Sequence, residues 1–138
     1  MPIAARTGYA GRTYVSTGSS TEKWVNYSRA VRHGDWVFVS NTSGYHYDEE
    51  RIDTDIKSQT RQMIVNVTNA LAAAGAKPQD IVRAVIFCPR PDEFHDALDI
   101  ISEFLADIKP TVTATCSPLA APSLKIEMEV TALIGNAS

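Results

Sequence analysis

Two carboxylates, Glu127 and Glu129, stand two residues apart in a strictly alternating run. Leu124, Ile126, Met128, Val130, Ala132 and Ile134 fall on one side of an extended chain there, and Lys125, Glu127, Glu129 and Thr131 on the other. Carboxyl groups paired on one strand face suit acid–base work, in which one holds a proton and the other takes one. The same spacing serves equally as a solvated or salt-bridged face with Lys125 as partner. A second chemical group is His46 between Tyr45 and Tyr47, in the loop Ser43–Glu50. Histidine changes charge near neutral pH, so His46 has the chemistry of an acid, a base or a stacking surface, or simply faces solvent. Cys88 and Cys116 lie alone in strand-like runs and are expected to be buried, reduced thiols. His33, His46 and His95 show no ligand spacing, so neither a metal nor another cofactor is expected.

The elements that must position these groups are legible from periodicity. Residues 1–23 are rich in Gly, Ser and Thr and read as an N-terminal extension with one short strand near Arg12–Ser16. Strands are expected over Asn26–Arg32 and Asp35–Ser40, joined by a tight turn at His33-Gly34 where glycine supplies positive φ. Ile56, Met63, Ile64, Val67, Leu71 and Ala74 form the stripe of a helix, with Asp53 as the expected cap and Gly75 as its end. Asp80–Cys88 reads as a buried strand, and Phe94, Ala97, Leu98, Ile101, Leu105 and Ile108 as the stripe of a second helix closed by Pro110. The two final strands follow.

The order is therefore β-β-β-α-β-α-β-β: an α+β domain over 24–138, with one mixed six-stranded sheet and two helices packed on one face. Several strands carry apolar residues at consecutive positions, as though buried on both sides. Covering the open face by assembly into a closed ring resolves this.

Composition narrows the function classes. The 138 residues are 44% hydrophobic and 21% charged, as in an ordinary globular domain. A net charge of −3 argues against a general nucleic-acid binder. The basic residues with the best claim to a cluster, Arg12, Arg29 and Arg32, read as a solvated sheet edge or a subunit contact. No apolar run approaches the ~20 residues of a membrane span, and the N-terminus lacks a secretory layout, so a cytoplasmic protein is expected.

Four stretches resemble the reactive intermediate deaminase (Rid, or YjgF-like) superfamily. They are Tyr27–Ser40, the helix carrying Gln59 and Asn66 up to Gly75, Asp80-Ile-Val, and Lys125-Ile-Glu-Met-Glu-Val-Thr-Ala132. The resemblance implies a chorismate-mutase-like fold and a homotrimer with small-molecule clefts between subunits. It places Tyr27 as a cleft-lining aromatic and Glu127 as the acidic residue that positions hydrolytic water. Tyr27 reads equally as interface packing. In deaminating members, an arginine two residues after a pre-strand proline grips the substrate carboxylate through its planar fork. Here Pro110 is followed by Thr111 and then Val112. Ala114 stands where those members have a cysteine, and Leu98 where they have an asparagine.

Two classes of function follow. In the first, the protein is a hydrolase or deaminase of small reactive metabolites, though not a standard 2-imino-acid deaminase, with Glu127 activating water. Tyr27, Ser40, His46, Val112, Thr113 and Ala114 would then bind the substrate. In the second, it is a non-catalytic ligand-binding or regulatory trimer. Endoribonuclease or translation-inhibitor activity is not expected from an acidic chain whose aromatics are not interleaved with Lys or Arg.

Overall fold

The computed structural model describes residues 3–135. Its centre is a seven-stranded mixed sheet in the order β1-β2-β3-β4-β9-β7-β8. The strands are β1 Ala4–Thr7, β2 Thr13–Ser16, β3 Ala30–His33, β4 Trp36–Ser43, β7 Ile81–Phe87, β8 Thr111–Thr115 and β9 Glu127–Leu133. A two-stranded ribbon, β5 Tyr45–His46 and β6 Arg51–Ile52, stands apart from it. The helices are α1 Ser20–Val25, α2 Ile56–Ala73 and α3 Pro91–Leu105. The N-terminal stretch adds two strands to this sheet, one more than expected, and that makes seven in place of six.

The core lies between the sheet and α2. Met63, Val67, Ala70 and Leu71 are fully buried, facing the buried side of the sheet at Val37, Val39, Met128, Val130 and Ala132. Each large side chain sealed from water there contributes about 1.5–3 kcal/mol. Asp55, rather than Asp53, caps α2 by accepting a hydrogen bond from the Ser58 backbone N–H at 2.9 Å. Gly75 ends that helix at φ +84°, a conformation in which a Cβ would be strained. On α3, Ala97 and Ile101 are buried while Leu98 is exposed, so the apolar stripe is narrower than its sequence spacing implies.

Three further expectations change. The tight hairpin pairs His33 with Trp36, so its two-residue turn is Gly34-Asp35, with Gly34 at φ +59°. The segment from Asn26 is not yet strand: Asn26 closes α1 in the left-handed region and β3 starts at Ala30. Cys88 is buried but Cys116 is exposed, because it follows β8 at the sheet edge.

The face opposite α2 stays open. Tyr14, Val31, Phe38 and Thr131 are cross-strand neighbours in one row, and Trp36 pairs with Leu133 beside it. Trp36, Phe38 and Leu133 are 44%, 51% and 39% exposed, an apolar patch of the kind that marks an interaction surface. All five residues of β8 are exposed as well.

Candidate functional site

Glu127 opens β9, and two devices fix its position. The first is a bulge in β4: Val39 pairs with Val130 and Thr42 with Met128, so Ser40 and Asn41 together oppose Glu129. The extra residue lets Asn41 donate its amide Nδ2–H to Glu127 Oε1 at 3.2 Å. The second is Gln59 of α2, wholly buried. It donates to the Ser123 and Asp53 carbonyls at 2.9 and 2.8 Å and accepts from the Lys125 N–H at 2.9 Å. This contact needs Gly44, because a Cβ there would come within 2.3 Å of the Gln59 carbonyl oxygen.

Glu127 faces a cleft of about 540 Å³. Its walls include Tyr27, Arg29, Asn41, Tyr45, Tyr47 and Leu124, together with Thr17 to Thr21, Asp48 and Glu50. Burial raises the Glu127 pKa above the ordinary glutamate value, and nearby Arg29 only partly opposes this. Asn41 Oδ1 is buried without a hydrogen-bond partner. An amide turned over by 180° would present that oxygen to a protonated Glu127, so Asn41 can serve either protonation state.

Arg29, expected at a solvated sheet edge or a subunit contact, is 5% exposed within the subunit itself. Its guanidinium donates through Nε and Nη2 to Glu22 Oε2 at 3.2 Å each, through Nη1 to the Asn41 carbonyl at 2.9 Å and Thr42 Oγ1 at 3.2 Å, and through Nη2 to the Tyr27 hydroxyl at 3.2 Å. The rings of Tyr27 and Tyr47 lie 5.5 and 5.7 Å from it. Burial works against its charge, but Tyr47, Glu22 and Tyr27 outweigh that and raise its pKa. Burial pushes the Tyr47 hydroxyl up to about 12 against the pull of Arg29, so it stays protonated at neutral pH.

Glu22 comes from α1, whose existence sequence periodicity did not show. The Ser16 and Thr17 hydroxyls, the Thr17 N–H and Arg29 all donate to its carboxylate. Burial tends to raise its pKa, yet these donors lower it overall. The signal was present as Ser19-Ser-Thr-Glu22, the spacing of a helix N-terminal cap, and Ser19 Oγ does accept from the Glu22 N–H at 3.2 Å.

Residues 17–134 match the family described as Endoribonuclease L-PSP. The chain belongs to this family, also called YjgF/Rid. A Mycobacterium tuberculosis member of the YjgF/YER057c/UK114 family has a similar structure, with TM-score 0.81 at 34% identity over 89% of this chain and 99% of that one. The mitochondrial protein mmf2 of Schizosaccharomyces pombe is 32% identical over 106 residues, covering 75% of this chain and 83% of the relative. A 2-iminobutanoate/2-iminopropanoate deaminase of Dermatophagoides farinae is 29% identical over 91 residues, 65% of this chain and 71% of the relative.

Of the residues that the YjgF/Rid resemblance singled out, Tyr27 and Glu127 line the same cleft. Ser40 lies in the bulge and donates to the Ser28 carbonyl at 2.7 Å. His46 bonds Asp53 at 2.8 Å and lines an adjoining cavity of about 520 Å³, with Thr17, Tyr47 and Asp48 common to both. Val112, Thr113 and Ala114 are not among the cleft's lining residues: they ride on β8, two strands beyond β9 and so roughly 10 Å across the sheet. Val112 and Ala114 pair with Ala84 and Ile86 on the helix side, whereas Thr113 pairs with Val85 on the open side. Arg12, Arg29 and Arg32 form no cluster: Arg12 donates to His33, and Arg32 to the Gly34 and Ala74 carbonyls. Lys125 pairs with Glu93 at 2.7 Å. Among the described residues, no group of three or more His, Cys, Asp or Glu could hold a metal ion, and no helix is long and apolar enough to cross a membrane.

Proposed function

We propose that this chain is a homotrimeric YjgF/Rid protein that hydrolyses or deaminates a small reactive metabolite in a cleft between subunits, with Glu127 orienting and activating the water. The observation that carries this reading is Glu127 itself: a half-buried carboxyl with a raised pKa and one hydrogen-bond partner, at the wall of a small cleft. Such tuning brings a carboxyl closer to the pH at which it both takes and returns a proton. The exposed Trp36–Phe38–Leu133 patch and the fully exposed strand β8 support assembly, since both are surfaces that a neighbouring copy would cover. A neighbour's β8 would then bring Val112, Thr113 and Ala114 to the cleft, while Ser40 and His46 shape its surroundings.

Val112 separates this chain from the standard 2-imino-acid deaminases. Losing a charge-assisted contact to the substrate carboxylate costs about 1.5–3 kcal/mol of binding, roughly ten- to a hundredfold. We therefore expect little acceleration of 2-aminoacrylate-type imine hydrolysis. RNA cleavage has no support in the acidic cleft. A cytoplasmic location belongs to the proposal too, and fractionation decides it against the mitochondrial setting of the S. pombe relative.

The test is a metabolite screen by thermal shift, with mass spectrometry for product and light scattering for subunit number. Product that forms with the wild type and disappears in Glu127→Gln supports the reading. Turnover that persists in Glu127→Gln, or a monomer in solution, overturns it. A ligand-dependent melting shift without product would identify the second reading, a non-catalytic binding trimer, which the loss of the arginine also favours.

A further inference from the structure

The cleft's own cation has nothing left to offer an anion. Each of the five N–H groups of Arg29 is committed: Nε to Glu22, the Nη1 pair to the Asn41 carbonyl and Thr42, the Nη2 pair to Glu22 and the Tyr27 hydroxyl. Its charge is matched by Glu22, whose side chain is 2% exposed. Four N–H groups in the stretch from Thr17 to Glu22 are committed in the same way. The Thr17 N–H goes to Glu22, Gly18 N–H to Ser16 Oγ, Ser19 N–H to Thr17 Oγ1 and Glu22 N–H to Ser19 Oγ. Lys125 is drawn away to Glu93.

The acceptors tell the opposite story. Glu127 Oε1 takes one bond from Asn41, and Oε2 takes none that the structure records. Glu50, also on the lining, is a further carboxylate. The walls beside them are aromatic, Tyr27, Tyr45 and Tyr47, and the first and last already hold Arg29 near their rings. Burial raises the Glu127 pKa, and the attraction of Arg29 offsets this only in part.

We infer that the cleft takes a small ligand that presents a protonated amine to Glu127, within the tyrosine-lined walls, and not a ligand held by its carboxylate. This rests on the reading of the cleft as the ligand site and names the chemistry of what enters. The ammonium supplies the hydrogen-bond donors that Glu127 lacks, and its charge offsets an acidic lining. A carboxylate would meet Glu127 and Glu50 with no donor from Arg29 to compensate.

Three probes of one shape test it: benzylamine, benzyl alcohol and benzoate, titrated calorimetrically at neutral pH into the intact protein in its native assembly. Benzylamine should bind saturably, benzyl alcohol more weakly, and benzoate at least tenfold more weakly than benzylamine. Glu127→Gln should weaken benzylamine tenfold or more and leave benzyl alcohol unchanged. Glu50→Gln, far from the packed core, should weaken benzylamine about two- to threefold. Benzoate binding tighter than benzylamine, and tighter still in Glu127→Gln, overturns the amine inference while keeping the cleft as the ligand site. No saturable binding of any probe, or binding indifferent to Glu127→Gln, overturns the site and the inference together.

Discussion

Glu22 and Glu127 are two carboxylates near one guanidinium, and the protein treats them in opposite ways. Glu22 accepts from Ser16, from the backbone and hydroxyl of Thr17, and twice from Arg29, and its pKa falls. Glu127 accepts from Asn41 alone, and burial lifts its pKa. Burial opposes ionisation at both positions; the number of donors decides which direction wins. The first arrangement makes a rigid wall, and the second leaves a group whose proton can move. A saturated ion pair beside an under-bonded acid is how a cleft gains shape without losing reactivity.

The sharpest way to break this contrast is Glu22→Ala. It strands the Arg29 charge inside the protein, and removing one partner of a buried pair costs about 3–5 kcal/mol. Urea unfolding should show that loss, and a change below about 1 kcal/mol would mean that the pair is not the wall described. Next in size is Ser19→Ala, which removes the cap of α1 and should cost about 1 kcal/mol in the same assay. If Ser19→Ala also weakens ligand binding, the short helix serves the cleft as well as the fold.

Glu127→Gln should go the other way by a smaller amount. A carboxyl whose folded pKa is raised lends its stability below the unfolded value, near 4.5, and loses it as pH rises through the folded value. The variant should therefore match the wild type in acid and gain a few tenths of a kcal/mol or more towards neutral pH. Glu22 has the reverse sign: its contribution is present above 4.5 and fades as pH drops through its lowered folded value. Stability curves of wild type and Glu127→Gln that run parallel from pH 3 to 8 would show that Glu127 is not perturbed. The smallest effect is expected for Asn41→Leu, which removes the single donor and should raise the Glu127 pKa further, read by carboxyl carbon NMR. A fall would show that Asn41 does not favour the ionised form.

How much of this could be read beforehand depends on the range of the signal. The α2 stripe and the two faces of β9 repeat over many residues, so periodicity exposes them, and Glu127 and Tyr27 come with the family resemblance. The helix α1 has six residues, less than two turns, and leaves no period to detect. Only the cap spacing Ser19 to Glu22 announces it. Arg29 is harder still, because in a strand-like run an arginine reads as surface, and its burial depends on Glu22, seven residues earlier on another element. The position of Val112 is legible only as an absence of arginine; that β8 is the far edge of the sheet is a matter of strand order, on which local pattern is silent.

The bulge in β4 has a genetic consequence. Ser40 and Asn41 share one place opposite Glu129, so losing one codon between Val39 and Thr42 would leave an unbroken ladder in which Thr42 and Ser43 keep their partners Met128 and Glu127. The extra residue that lets Asn41 reach Glu127 would be gone, while Thr42 would stay beside Arg29. For this site, deleting one amino acid at the bulge removes the Asn41 donor to Glu127 while leaving the rest of the sheet in register.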